Sequence, residues 1–138
     1  MRLVIVPFTP TLVLAATTLA AQAPLARYHP PVVPDCVAKH HAGELVTVEG
    51  LVVSIVVSAR SDTVFLNLGA SGGPPTFSAV LFRPFFSRFP NVQKWRGKRV
   101  RVTGVVQLEQ GRSEIFLTDP TQLRGATWYV FPARPVAT

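Results

Sequence analysis

Two segments of this chain share one frame, 54 positions apart. Gly43-Glu44-Leu45-Val46-Thr47-Val48-Glu49-Gly50-Leu51-Val52 aligns without a gap on Gly97-Lys98-Arg99-Val100-Arg101-Val102-Thr103-Gly104-Val105-Val106. The frame is Gly-x-x-Val-x-Val-x-Gly-aliphatic-Val. Valine alternating with threonine, glutamate or arginine gives each segment one apolar and one polar face, the period of a half-buried strand. The second glycine of the frame reads as a place where the strand bends or bulges. Two long, bent, half-buried strands point to a small closed barrel. Their polar faces differ in charge: Glu44 and Glu49 on the first copy, Lys98, Arg99 and Arg101 on the second.

With 138 residues, 48% of them hydrophobic, the chain has enough apolar material for one compact domain. Part of that material belongs to the N-terminus. Positions 3–21 carry no charge, follow Arg2 and give way to small residues, the layout of a cleaved secretory signal. Pro7 and Pro10 and the shortness of the run argue against a permanent membrane anchor. The organisation expected is a signal over 1–21, a proline-rich linker over 22–34, a folded domain over 35–123 and a tail over 124–138.

The formal net charge is +7, of which one unit belongs to Arg2. An excess of this kind speaks about partners rather than fold: nucleic acid, acidic polysaccharide, lipid phosphate or an acidic protein, or simply a soluble basic surface. Cys36 is the only cysteine, so no internal disulfide is available, and it reads as a small buried side chain. Catalysis is not expected. All three histidines precede Ala42, and Asp62 and Asp119 stand apart in turns, which leaves no catalytic triad and no metal-binding cluster. Adjacent His40 and His41 point in different directions and read as solvated helix surface. No cofactor and no metal is expected.

Asp35 reads as the N-cap of a two-turn helix over 36–42. The first long strand then runs from Glu44 to Ser58, extended by Val52, Val53, Ile55, Val56 and Val57. Thr63–Leu68 presents Val64, Leu66 and Leu68 on one face and Thr63, Phe65 and Asn67 on the other. In the third strand Phe77, Ala79 and Leu81 oppose Thr76, Ser78, Val80 and Phe82, and the second set is assigned outward. Phe85, Phe89, Val92 and Trp95 fall at helical spacing after Pro84, with Pro90 splitting the segment. The second repeat copy, read as one strand over 97–109, is followed by Arg112–Thr118, where Ile115 and Leu117 face inward.

This order is strand, strand, strand, helix, strand, strand. Together with Val46–Gly50, Thr63–Asn67, Gly97–Gly104 and Asp119-Pro120 it resembles an all-β, five-stranded OB-fold, of the nucleic-acid-binding type found in small exported bacterial proteins. The resemblance covers about Asp35 to Leu123. It implies a helix closing one barrel end and nucleic-acid binding without a fixed physiological ligand.

In such a barrel the ligand face lies on the second and third strands, between the first-to-second and fourth-to-fifth loops. Phe65, Asn67, Ser78 and Phe82 occupy that face, with Arg60 in one flanking loop and Arg112 after the other. Rings under bases and cations along phosphates are the means of holding a single strand. The alternative is that Phe65 and Phe82 pack under Trp128 or Phe131 of the tail. A second basic patch gathers Lys94, Arg96, Lys98, Arg99 and Arg101, five cations within eight residues. Glu44 and Glu49 are expected opposite it, neutralising part of the charge across the strands. The leading function is an exported, non-catalytic module for single-stranded nucleic acid or another polyanion, with no small-molecule substrate. The alternative is a periplasmic adaptor for an acidic protein, glycan or lipid head group.

Overall fold

The computed structural model describes residues 2–5 and 27–126. Most of the expected signal, the start of the linker, and the tail with Trp128, Tyr129 and Phe131 lie outside the described residues.

The two repeat copies pair with each other. β2 (Leu45–Ser58) runs antiparallel to β5 (Arg99–Val105), with Val48 opposite Val102 and Val46 opposite Gly104. Val46, Val48, Val100 and Val102 are almost wholly buried. Each such side chain contributes about 1.5–3 kcal/mol. Past residue 51 the same strand changes partner: from Val52 to Ser58 it pairs with β3 (Thr63–Leu68), after a register irregularity between Val52 and Ser54. The ladder irregularity therefore falls at Val53, three residues past the glycine of the frame. Gly50 and Gly104 serve close approach instead. A Cβ on Gly50 would stand 3.0 Å from the Asp35 side chain, and one on Gly104 would stand 2.5 Å from Ile115 Cγ2.

β3 pairs antiparallel with β4 (Phe77–Phe82), and β4 pairs parallel with β7 (Arg112–Leu117). β7 forms a hairpin with β6 (Gln107–Glu109). Because β5 leads into β6 across the buried Val106, the path β6-β7-β4-β3-β2-β5 returns to its start and encloses the core. This is an all-β OB-fold barrel. The segment expected as one strand over 97–109 is thus two, broken where the chain leaves β2 for β7. Two further strands flank the barrel: β1 (Val32–Pro34), parallel to β2, and β8 (Leu123–Gly125), antiparallel to β5.

β5 and β7 share no backbone ladder along this path. The seam between them is closed by side chains. Gln122, held in a reciprocal cap with Asp119, donates from Nε2 to Thr103 O at 3.1 Å and to Phe116 O at 3.0 Å. One amide thereby ties β5 to β7.

Among the described residues the helical segments are all 3-10 turns. Asp35–His41 forms one, but Asp35 does not cap it; its carboxylate accepts from Thr76 Oγ1, in the space that Gly50 leaves. Ala38 turns into the core from this segment and Cys36 turns out, so the cysteine expected to be buried is exposed. Between β4 and β5 the chain makes two short turns, Arg83–Arg88 and Val92–Trp95, on either side of Pro90. Phe89 is buried, and Phe85, Phe86, Val92 and Trp95 pack against the core.

Candidate ligand-binding face

The outward side chains of β3, β4 and β7 stand in ranks set by the pairing register. Asn67, Ser78 and Glu114 form one rank, Phe65, Val80 and Phe116 the next, and Thr63 and Phe82 the last. The face is polar at one end and aromatic at the other. Phe82 and Phe116 meet edge to face, their centroids 5.1 Å apart at 74°. The Arg112 guanidinium lies 6.0 Å over the Phe65 ring, within cation–π range. Between these groups is an open cleft of about 370 Å³, bounded by Ser61, Phe65, Phe82, Glu109, Arg112 and Phe116.

Of the residues expected to bind, Phe65, Phe82 and Arg112 line this cleft. Asn67 and Ser78 belong to the same face but are buried and already engaged. Ser78 Oγ donates to Asn67 Oδ1 at 2.8 Å, Asn67 Nδ2 donates to Ser54 Oγ at 3.1 Å, and Arg112 Nη2 reaches Ser78 Oγ at 3.4 Å. They order the floor and position Arg112. Arg60 is exposed in the β2–β3 turn, where Ser61 rather than Arg60 lines the cleft.

Glu109, Glu114 and Phe116 were absent from the sequence-based set. Alternation about the inward Ile115 and Leu117 places both Glu114 and Phe116 outward, so the signal was present. Glu114 is 6% exposed. Burial pushes its carboxyl above the usual carboxylate range; the Arg112 charge opposes that shift and Glu109 adds to it. The cleft therefore combines one cation with two acids.

Lys98, Arg99 and Arg101 lie away from this cleft. On the outer face of β2 and β5, Glu49 accepts from Arg99 Nε at 3.4 Å and from Arg101 Nε at 2.8 Å, the cross-strand neutralisation expected. Glu44 does not share in it: its carboxylate lies 2.7 Å from His41 Nδ1 at the strand's end, too far along β2 to oppose the cations. Lys94 sits over the Trp95 ring at 5.1 Å, and Arg96 donates to Ile55 O at 3.3 Å. Four of the five cations are thus engaged locally, Arg99 and Arg101 by Glu49, Lys94 by Trp95 and Arg96 by Ile55 O.

The sequence matches no protein-family model and no curated protein. Among solved structures, the chain is similar to an OBody, AM1L10, in its complex with hen egg-white lysozyme: 20% identity, 74% of this chain and 99% of that one, TM-score 0.53. A protein from Leishmania major Friedlin described as an aspartyl-tRNA synthetase matches at 10% identity over 78% of this chain and 22% of its own, TM-score 0.50. Asparaginyl-tRNA synthetase from Entamoeba histolytica matches at 18% identity over 71% of this chain and 24% of its own, TM-score 0.47. The chain spans about a quarter of the length of these synthetases. At such identities the likeness is one of fold.

Proposed function

We propose that this chain is an exported, non-catalytic OB-fold module of the small bacterial type that binds single-stranded nucleic acid through the cleft on β3, β4 and β7. The observation that carries this reading is the grouping of Phe65, Phe82 and Phe116 around Arg112. Exposed ring surface beside a guanidinium is what successive bases and a phosphate require. The uncharged N-terminal segment supports export, and the fold shared with part of the tRNA synthetases is in keeping with a nucleic-acid ligand. Fluorescence anisotropy with labelled single-stranded oligonucleotides tests it: saturable binding at low salt is expected, and its absence removes the reading.

A second reading, an envelope adaptor, is favoured by Glu109 and Glu114. Two carboxylates in the cleft turn that reading away from an acidic partner and toward one that brings a lysine or arginine. A basic peptide that competes with oligonucleotide for the cleft, and binds more tightly, would favour the adaptor.

A further inference from the structure

A second groove lies on the other half of the barrel, over the outer face of β2, β5 and β8. It measures about 740 Å³ and is lined by Arg27, His29, Thr47, Arg101, Thr103 and Arg124, among others, with no aspartate or glutamate among the described residues of its lining. The linings contrast in charge: three guanidiniums here, of which Arg101 is paired with Glu49 beside the groove, and one guanidinium with two acids there. Phosphate groups are therefore attracted more strongly to this groove than to the aromatic cleft, where ring surface has to supply more of the binding.

The groove is also ordered. The segment that carries Arg27 and His29 is pinned beside β2, where Pro31 O accepts from Thr47 N at 2.9 Å. Thr47 Oγ1 and Thr103 Oγ1 are 2.8 Å apart, a hydroxyl pair in the lining. Arg101 is held through Nε by Glu49, and Arg124 donates from Nε to Thr121 O at 3.3 Å. Both bonds use Nε, so they fix the side chains while leaving the terminal amino groups to present their donors. Guanidiniums with nearby hydroxyls are the donor set that phosphate oxygens take. Among the described residues the lining holds no phenylalanine, tyrosine or tryptophan, and its one ring is the small imidazole of His29.

We infer that this groove is a phosphate-backbone site, separate from the aromatic cleft, that takes the phosphodiester chain of a nucleic acid without reading its bases. The inference rests on the nucleic-acid reading for the identity of the polymer and is independent of whether the aromatic cleft binds. The β2–β5–β8 face and the β3–β4–β7 face belong to different halves of the barrel, so both can be occupied together.

The test uses the full chain, a dT oligonucleotide and an abasic strand of the same length, each titrated across a salt series, with thermal melting to show that every variant is folded. For Arg27→Gln/Arg124→Gln, the slope of log K against log salt is expected to fall by about 1.4, two phosphate contacts at roughly 0.7 each for a single strand. The abasic strand should bind wild type and Phe65→Ala alike and lose affinity only with the double substitution. Phe65→Ala should weaken dT binding without changing the slope. An unchanged slope in a folded double variant overturns the inference. So does failure of the abasic strand to bind wild type, including the case where phosphatidylglycerol vesicles bind the groove instead. If dT does not respond to Phe65→Ala while the abasic strand still responds to the double substitution, the aromatic-cleft reading fails and this one stands.

Discussion

Arg112 stands over Phe65 at 6.0 Å while its Nη2 reaches Ser78 Oγ, so one guanidinium is held between a ring and a hydroxyl. That ring is partly exposed in the cleft, whereas Lys94 lies outside it, over Trp95. Phe65→Ala is therefore expected to weaken single-strand binding by about 1–3 kcal/mol, the contribution of one stacked base. Lys94→Ala should cost clearly less. Anisotropy titrations of the two variants at one salt concentration check this, and equal losses would point to diffuse charge attraction.

Gly104 faces Ile115 across the seam, and an added methyl would meet Ile115 Cγ2 at 2.5 Å and Gln122 Nε2 at 3.3 Å. Neither neighbour can withdraw freely, since Ile115 is in the core and Gln122 bridges two strands. Gly104→Ala should destabilise the fold by about 1–3 kcal/mol, the usual range for overpacking. Urea unfolding followed by circular dichroism measures it. Undiminished stability would show that the seam has slack.

Glu114 carries the pH dependence of the cleft. Its folded pKa is raised above 4.5 by burial, so in the window between 4.5 and that higher value the folded state binds more protons than the unfolded one. Stability from this group accordingly falls as pH rises through the window and recovers below it. Glu114→Gln removes the penalty, so the variant should melt higher than wild type at pH 7, with the gap closing below about pH 4.5. Asp119 acts in the opposite sense. Its carboxyl is lowered mainly by the Thr121 hydroxyl and amide bonds, so its contribution is lost only at pH values below 3.8. Melting curves for both proteins from pH 3 to 8 distinguish the two groups; a constant gap across the series would contradict the role given to Glu114.

The repeat made most of the barrel legible. Its alternation located the β2–β5 ladder, and the inward sets on β3, β4 and β7 followed from the same period. What could not be read were effects that depend on a third partner. Alternation assigns Asn67, Ser78 and Val80 to the outer face correctly, yet bonds with Ser54 and Arg112 and neighbours on β7 bury all three. The glycines of the frame look like hinges in one dimension and prove to be places where Asp35 and Ile115 come close. Glu44 and Glu49 look equivalent by sequence, but antiparallel register brings only Glu49 opposite Arg101. The second groove was invisible for the same reason: Arg27, Arg101 and Arg124 are far apart in the chain and meet only when β8 lies against β5 and the segment before β1 lies against β2.

The bridge made by Gln122 bears on where the chain can be cut. Every backbone rung of the enclosing sheet can form by residue 117, yet the two carbonyls of Thr103 and Phe116 wait for an amide five or more positions downstream. A nascent chain still lacking that residue has all its staves and no hoop. The seam is thereby held by one side chain that lies beyond both strands it joins, so a chain cut before it keeps every rung of the enclosing sheet and loses the tie across the seam.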